Sequence, residues 1–352
     1  MCILNHLYPT RVANLFMKPH ITLALLFCAT LSACKPAYSA FERAMSAPES
    51  NTANSTTTFA ATAPTHADLA YAGTSNQAQM LDVYAPDVTV NPSEQGHRPL
   101  IVFIHGGAWM IGDKAWIRGG THMQLEQFLQ LLLNSGYAVA SLNYRLVPEG
   151  VFPAPIHDVK AAVRYLRAHA NELGINPERI AVAGESAGAH LAQLLAVSAD
   201  EPSLEGSLGN AAFSSRVKAA ISYYGIADLR RLAGERVDQG CKNPWVYNPN
   251  KPNEAEYGLL GGGALDTPER QQRALLASPI HYVSAGDPPM LLLHGRQDCV
   301  VAYVQSQSMA VALQKVGVPS QLRLIDADHA AGKFYADSQL QRLLLDFLRK
   351  YL

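Results

Sequence analysis

The pentapeptide Gly-Glu-Ser-Ala-Gly at residues 184–188 has the composition of a tight turn that presents a nucleophilic serine. It follows the apolar run Ile180–Ala183 and precedes the Ala-rich segment Ala187–Ala199, which is the pattern of a strand that turns directly into a helix. The two glycines are required because a Cβ there would strike the adjoining strand and helix. We therefore expect the Ser186 hydroxyl to project at the carboxyl edge of a sheet, the alternative being a serine that only caps the helix.

A serine nucleophile needs a base that takes its proton and an acid that orients this base. His329 and Asp298 each follow a predicted β-strand, and the chain order Ser, Asp, His agrees with a site at the carboxyl ends of a parallel sheet. We predict that His329 is the base and Asp298 the acid. Asp326 and Asp328 are alternative acids because they lie close to His329 in sequence.

A third motif, His-Gly-Gly-Ala-Trp at residues 105–109, follows another apolar run. Its small residues allow backbone N–H groups to approach a reacting carbonyl oxygen, which is what an oxyanion hole requires. We predict that the N–H groups of Gly107, Ala108 and Ala187 form this hole, with Gly106 as the next candidate. A Gly-rich turn without a ligand is the alternative.

Three histidines and one tryptophan lie in or near these motifs without an expected part in catalysis. We expect His105 to brace its loop, and His190 and His294 to form satisfied hydrogen bonds inside the fold. Trp109 either lines the substrate pocket or belongs to the core.

These motifs lie in a chain whose short apolar runs alternate with longer segments of helical periodicity. The alternation indicates β-α-β units, and therefore an α/β fold with a mostly parallel sheet and helices on both faces. The predicted strands are Met80–Tyr84, Leu100–His105, Ala138–Tyr144, Ile180–Ala183, Ala219–Tyr224, Met290–His294 and Gln321–Ile325. The predicted helices are Met123–Asn134, Ile156–Leu173, Ala187–Ala199, Tyr303–Val316 and Ser338–Tyr351.

One stretch, about residues 228–276, breaks this alternation with several prolines and three consecutive glycines. We predict a loop-rich insertion there, either a lid or substrate wall or a plain surface excursion. Cys241 lies in this insertion and Cys299 follows the predicted acid. The two cysteines form either a disulfide or two free buried thiols.

The composition is that of a globular protein, with 48% hydrophobic and 16% charged residues in a chain of 352. Lys and Arg total 28 against 29 Asp and Glu, and no basic stripe appears, so nucleic acid is not expected as a partner. The sequence has no Gly-rich phosphate loop and no His/Cys cluster with metal-ligand spacing. We therefore predict neither a cofactor nor a metal.

The first 33 residues have the pattern of an export signal. The apolar run Ile21–Ala33 follows Lys18 and is shorter than the ~20 residues needed to span a bilayer. The signal begins at Met1 or, in a more compact form, at Met17.

Leu-Ser-Ala-Cys at residues 31–34 resembles the lipobox of bacterial lipoproteins. We predict lipidation of Cys34 and a membrane anchor, with cleavage of an ordinary signal as the alternative. By resemblance to Gram-negative lipoproteins, in which an Asp after the cysteine retains the protein at the inner membrane, Lys35 implies the outer membrane, so the protein is expected there or in the periplasm. The polar stretch 34–68 is predicted to be a flexible tether, followed by a catalytic domain over 69–352.

The three motifs, together with Asn-Tyr-Arg-Leu-Val-Pro-Glu at 143–149 and Phe-Pro-Ala-Pro-Ile-His-Asp at 152–158, resemble the hormone-sensitive-lipase-like esterases. Leu-Asp-Val-Tyr-Ala-Pro at 81–86 ahead of His-Gly-Gly-x-Trp resembles, more closely, the bacterial group that contains bifunctional feruloyl and acetyl xylan esterases. The resemblance extends from about residue 80 to the C-terminus. It implies the α/β-hydrolase fold, in which the insertion follows the sixth strand.

The resemblance also implies a serine carboxylesterase for small or aromatic acyl esters, including esterified saccharides. Ala108 in the place of a third glycine, and Cys299-Val-Val after the acid, depart from the usual pattern and leave the acyl and alcohol pockets unassigned. Alternative functions are an arylformamidase-like amidase, a serine peptidase, and a non-enzymatic, lipid-anchored binding protein on a hydrolase scaffold.

Overall fold

The computed structural model describes residues 62–87, 89–90, 97–119, 124–241, 254–262, 265 and 267–352. The predicted signal peptide over 1–33, the predicted lipidation site Cys34 and most of the predicted tether over 34–68 lie outside these residues. Within the described ranges, no helix combines the length and the apolar character needed to cross a membrane.

The described strands form one sheet. They are β1 (His66–Ala70), β2 (Met80–Tyr84), β3 (Arg98–Ile104), β4 (Ala138–Leu142), β5 (Ile175–Glu185), β6 (Ala219–Tyr223), β7 (Met290–Gly295) and β8 (Ser320–Ile325). Their spatial order is β1-β2-β4-β3-β5-β6-β7-β8. Strands β1 and β2 pair antiparallel, as do β2 and β4, while all later neighbours pair in parallel. The mostly parallel sheet predicted from the sequence is confirmed.

Helices cover both faces of this sheet. They are α1 (Leu125–Asn134), α2 (Ala154–Ala168), α3 (Ala187–Val197), α4 (Pro202–Glu205), α5 (Leu232–Asp238), α6 (Glu254–Leu259), α7 (Pro268–Leu276), α8 (Val304–Lys315), α9 (Lys333–Ala336) and α10 (Ser338–Tyr351), with short 3₁₀ helices at Gln77–Gln79, Lys114–Arg118 and Pro279–Tyr282. Alternate residues of β3 enter the two cores: Val102 joins the side formed with α2, α3 and α8, whereas Phe103 joins the side formed with α1 and α10. This two-sided burial explains why fully buried strands such as β3 and β7 consist mostly of apolar residues.

The first strand differs from the sequence prediction, because β1 begins at His66, three residues before the predicted domain start. This strand is an exposed to half-buried edge strand, so its sequence carries no run of apolar residues. Its attachment is polar: the Lys114 ammonium lies 2.8 Å from Asp68 and 2.7 Å from Asp82. These two carboxylates belong to β1 and β2, and only the folded chain brings them to one cation.

The insertion lies between β6 and β7, as predicted, but its described part is more helical than a loop-rich segment. It contains α5, α6 and α7, which have six to nine residues each. Such short helices show little periodicity in sequence. The start of α7 does follow local rules, because Pro268 occupies its first turn and the Thr267 hydroxyl accepts from the N–H of Arg270.

Candidate active site

Ser186 lies on the turn between β5 and α3 with backbone angles φ 51° and ψ −118°, a strained conformation for a residue with a Cβ. A Cβ added to Gly184 would lie 2.4 Å from the carbonyl oxygen of Gly188, and one added to Gly188 would lie 2.1 Å from that of Ile104. Both glycines are therefore required for the turn. Ser186 occupies the N-cap position of α3, but its side chain makes no capping hydrogen bond.

Ser186 instead pairs with the histidine that the sequence indicated. Its Oγ lies 3.0 Å from His329 Nε2, and His329 Nδ1 lies 2.7 Å from Asp298 Oδ2. The two alternative acids are elsewhere, since Asp326 is exposed with Arg296 Nε 3.7 Å away, and Asp328 accepts from the backbone N–H of His329 rather than from its ring. The structure thus brings Ser186 together with two residues that lie more than a hundred positions later in the chain.

The Asp298 carboxylate is buried and fully hydrogen-bonded. Its Oδ1 accepts from the N–H groups of Val300 at 2.9 Å and Val301 at 2.8 Å, while His294 Nε2 lies 3.2 Å from Oδ2. Burial alone would raise the pKa of Asp298, but the attraction of His329 and the hydrogen bonds from His294 and His329 outweigh it and lower the pKa below its ordinary value. Asp298 therefore stays ionised, and His294, expected only to be structural, contacts it.

Of the N–H groups that are candidates for the oxyanion hole, one already donates a hydrogen bond within the described part of the chain and three do not. The N–H of Gly106 donates to Glu185 Oε1 at 2.8 Å, so this next candidate is already occupied. None of the described residues accepts a hydrogen bond from the N–H of Gly107, Ala108 or Ala187. Gly107 and Ala108 both have positive φ angles, 96° and 54°, so this loop holds its backbone in a left-handed conformation.

The N–H of Gly106 connects to a buried polar cluster that the sequence did not predict. Glu185 Oε2 accepts from the Tyr224 hydroxyl at 3.0 Å, which lies 2.9 Å from the Tyr335 hydroxyl. Burial raises the pKa of Glu185, although its hydrogen bonds from Gly106 and Tyr224 act in the opposite direction. The Tyr224 ring contacts the His329 ring at 4.8 Å. The only sequence signal for this cluster was the place of Glu185 beside the serine.

The other histidines near the site have the structural roles that their positions indicated. His105 Nδ1 lies 2.8 Å from the carbonyl oxygen of the next residue, and His190 Nε2 lies 2.7 Å from that of Ala277. Burial lowers the pKa of each to about 4, despite these hydrogen bonds. Trp109 is 2% exposed and meets the His190 ring edge-on at 5.3 Å, so it belongs to the core.

Neutral, buried His190 leads to a prediction about stability and pH. Its pKa is about 4 in the folded chain against 6.5 when unfolded, so the unfolded chain takes up the proton first as the pH falls. Its contribution is complete above pH 6.5 and is lost towards pH 4, amounting to about 2 kcal/mol between neutral pH and pH 5. We therefore expect the unfolding free energy, measured in urea, to fall by this much less between neutral pH and pH 5 in His190→Gln than in the wild type. If the unfolding free energies of the two proteins changed equally with pH, the effect assigned to the burial of His190 would be contradicted.

The oxyanion loop leads to a second prediction, for Gly107→Ala. The new Cβ would lie 2.1 Å from the carbonyl oxygen of Ile111, so the loop must move, and we expect kcat to fall by roughly 10²–10³-fold. Gly317→Ala is the matched control, because Gly317 also has a positive φ of 78° but open space around its Cβ position. That variant should lose stability and keep its kcat. Equal kcat values for the two variants would argue against a role of the Gly107 loop in binding the oxyanion.

Comparison with known families and curated proteins gives consistent matches. Residues 81–313 match the model of the BD-FAE family. The chain is 32% identical over 252 residues to LipM of Mycobacterium tuberculosis, a probable carboxylic ester hydrolase. The aligned region covers 71% of this chain and 52% of LipM. It thus spans about half the length of the curated relatives that it matches.

Solved structures of esterases share the fold. A truncated carbohydrate esterase from gut microbiota superposes with a TM-score of 0.67 at 28% identity, covering 81% of this chain and 94% of that one. An esterase of Thermogutta terrifontis with bound butyrate superposes with a TM-score of 0.58 at 28% identity, covering 77% and 88% of the two chains. The α/β-hydrolase fold expected from the sequence is confirmed.

Proposed function

Because this chain belongs to the BD-FAE family, we propose that it is a carboxylic ester hydrolase with Ser186 as nucleophile, His329 as base and Asp298 as acid. The observation that carries the proposal is the continuous hydrogen-bonded chain from Ser186 Oγ through His329 to Asp298, with distances of 3.0 and 2.7 Å. Its members come from the ends of β5, β7 and β8, where parallel sheets hold their active sites.

In the proposed reaction, Ser186 Oγ attacks the ester carbonyl carbon while His329 Nε2 takes the hydroxyl proton. Ionised Asp298 stabilises the imidazolium, and the open N–H groups of Gly107, Ala108 and Ala187 bind the oxyanion. The C–O bond to the alcohol then breaks, and the alcohol leaves with the proton from His329. Water, deprotonated by His329, hydrolyses the acyl-enzyme and regenerates the free serine.

We propose small or aromatic acyl esters, including acylated saccharides, as the substrate class. Support comes from a similar chain described as a carbohydrate esterase and from another solved with bound butyrate. The helical insertion after β6 supplies further surface near the acid, because Gln239 of this insertion contacts Asp298.

The test is a panel of p-nitrophenyl acetate, butyrate and octanoate, a feruloyl ester and acetylated xylan, measured alongside N-formylkynurenine and a peptide p-nitroanilide. We expect hydrolysis of the short or aromatic esters, with kcat/KM for octanoate well below that for acetate. Preferential cleavage of the formamide or the anilide would replace the esterase by an amidase or a peptidase. Absence of all turnover would favour a binding protein.

We also propose that the protein is exported and anchored through lipid on Cys34, in the outer membrane or the periplasm. The support is the sequence Leu-Ser-Ala-Cys after an apolar run, together with the Cys241–Cys299 disulfide, which suits an oxidising compartment. Mass spectrometry of protein extracted from membranes should find a diacylglycerol adduct on an N-terminal Cys34. An unmodified N-terminus downstream of this residue would rule the anchor out.

A further inference from the structure

The loop that carries Asp298 is tied covalently to the insertion. Cys299, the residue after the proposed acid, forms a disulfide with Cys241 just beyond α5, with 5.4 Å between their Cα atoms and 58 positions between them in sequence. Of the two interpretations that the sequence left open, the disulfide is the one present in the structure. Any displacement of this part of the insertion is therefore transmitted to the neighbour of Asp298.

Gln239 adds a polar clamp at the same place. Its Nε2 donates to the backbone carbonyl of Asp298 at 2.6 Å, and its Oε1 accepts from the N–H of Tyr303 at 3.1 Å. One side chain thereby joins the start of the acid loop to the residue before α8. A backbone carbonyl or N–H group that is buried without a hydrogen-bond partner destabilises the fold. Because Gln239 provides a partner for both of these groups, it stabilises this conformation of the loop.

Arg236 holds the middle of the loop. Its Nε donates to the carbonyl of Val300 at 2.7 Å, and its Nη2 lies 2.6 Å from Glu256 Oε1 on α6. Val300 is also one of the two residues whose N–H groups bind the Asp298 carboxylate. Arg236 is 2% exposed, so its contacts are shielded from water.

The supporting helix α5 is itself attached to the body of the fold. Gln305 of α8 donates from its Nε2 to Glu235 Oε2 at 2.5 Å. Its Oε1 accepts from the N–H groups of Ala227 at 2.8 Å and Asp228 at 2.7 Å, where the insertion leaves the sheet. The contacts on the acid loop are thus made from a fixed element.

We infer that Gln239 and the Cys241–Cys299 disulfide, together with Arg236, are positioning residues for the catalytic acid, and we call them the acid-loop brace. The inference rests on the proposed function, since it requires Asp298 to orient His329. It gives this part of the insertion the task of holding the acid, which differs from both the lid and the surface excursion considered from sequence. The hydrogen bonds described for Gln239 and Arg236 go to the acid loop, to Tyr303 and to Glu256.

The first experiment compares Gln239→Leu with the double variant Cys241→Ser/Cys299→Ser. Because displacement of a catalytic group by about 1 Å can cost up to 10²-fold in rate, we expect each to lower kcat for p-nitrophenyl acetate about tenfold with little change in KM. Gln271→Leu is the matched control: Gln271 also lies in the insertion and donates to a backbone carbonyl, that of Leu265. Its kcat should equal that of the wild type.

The decisive readout is non-additivity with the acid. If the brace acts through Asp298, Gln239→Leu should lower kcat about tenfold in the wild type and less than twofold in an Asp298→Asn background. If Gln239 had a merely structural role, Gln239→Leu would lower kcat by the same factor in the wild-type and the Asp298→Asn backgrounds. Equal factors in the two backgrounds, or a kcat for Gln239→Leu equal to that of Gln271→Leu, would overturn the inference.

A chemical experiment starts from the folded wild type and so avoids failure of a variant to fold. Dithiothreitol reduces the disulfide to two thiols, with two electrons and two protons supplied as the reagent closes to its cyclic disulfide. We expect kcat to fall to the level of the double serine variant, to recover on reoxidation, and to stay constant in that variant. An unchanged kcat after complete reduction, measured by thiol titration, would remove the disulfide from the brace.

These outcomes are separable from failure of the proposed function. A wild type that neither hydrolyses esters nor reacts with a fluorophosphonate would contradict the catalytic serine, and the inference would fall with it. An active wild type whose brace variants match Gln271→Leu would contradict the brace alone. Circular dichroism and melting curves of every variant establish that rates are compared between folded proteins.

Discussion

Ser186→Ala is expected to lower kcat for p-nitrophenyl acetate by on the order of 10⁶. The side chain lies on a strained turn at φ 51°, with its Oγ 3.0 Å from His329 Nε2, and Ala retains the turn but has no atom that could form the acyl-enzyme. Remaining turnover would come from the oxyanion hole and substrate binding alone. Purified protein and an active-site-titrated wild type are needed, because trace contamination would set the apparent limit.

Ser215→Ala is the control for loss of a buried serine hydroxyl, since Ser215 is 4% exposed and donates to Glu205, which pairs with Lys160 rather than with a residue of the candidate site. We expect that variant to keep the wild-type kcat. A Ser186→Ala protein with more than about one hundredth of wild-type turnover would contradict the proposed nucleophile, because even partial triads lose far more than this.

Asp298→Asn is expected to lower kcat by on the order of 10⁴, the effect that results when the acid no longer fixes the histidine tautomer. The side chain is buried and its Oδ2 contacts His329 Nδ1 at 2.7 Å, so an amide nitrogen there would face a donor N–H. Fold and stability are to be measured alongside, because Asp298 also accepts from two backbone N–H groups.

The sequence alternative for the acid provides the matched control. Asp326 is exposed and lies in the same loop as the histidine, so Asp326→Asn should leave kcat within about twofold of the wild type. A large loss of kcat in Asp326→Asn together with a small loss in Asp298→Asn would identify Asp326 rather than Asp298 as the acid. Parallel measurement of both variants on one substrate separates these cases.

The parallel sheet was predictable because its strands are buried on both faces. Mostly apolar runs such as Ala219–Tyr224 and Met290–His294 therefore stand out from the amphipathic helices around them, and their predicted bounds agree with β6 and β7 within one residue. β1 at His66–Ala70 could not be found in this way, because it lies at the edge of the sheet, is exposed to half-buried and carries no run of apolar residues.

The arrangement of the site was partly predictable for a related reason. Residues that follow parallel strands meet at one edge, so the positions of Ser186, Asp298 and His329 in sequence were enough to expect them together. Glu185 and Gln239 were not assigned roles, because each acts on a backbone group far away in the chain, at Gly106 and Asp298 respectively. Such side chain to backbone contacts depend on the folded geometry and leave no spacing pattern.

The most direct test of the central claim is covalent labelling with a fluorophosphonate, followed by peptide mapping. The proposal predicts one phosphonyl group per chain, located on Ser186 within the peptide that contains residues 184–188, together with loss of esterase activity in proportion to labelling. Ser186→Ala should remain unlabelled under the same conditions. An adduct on another residue, or equal labelling of the wild type and Ser186→Ala, would contradict the proposed nucleophile.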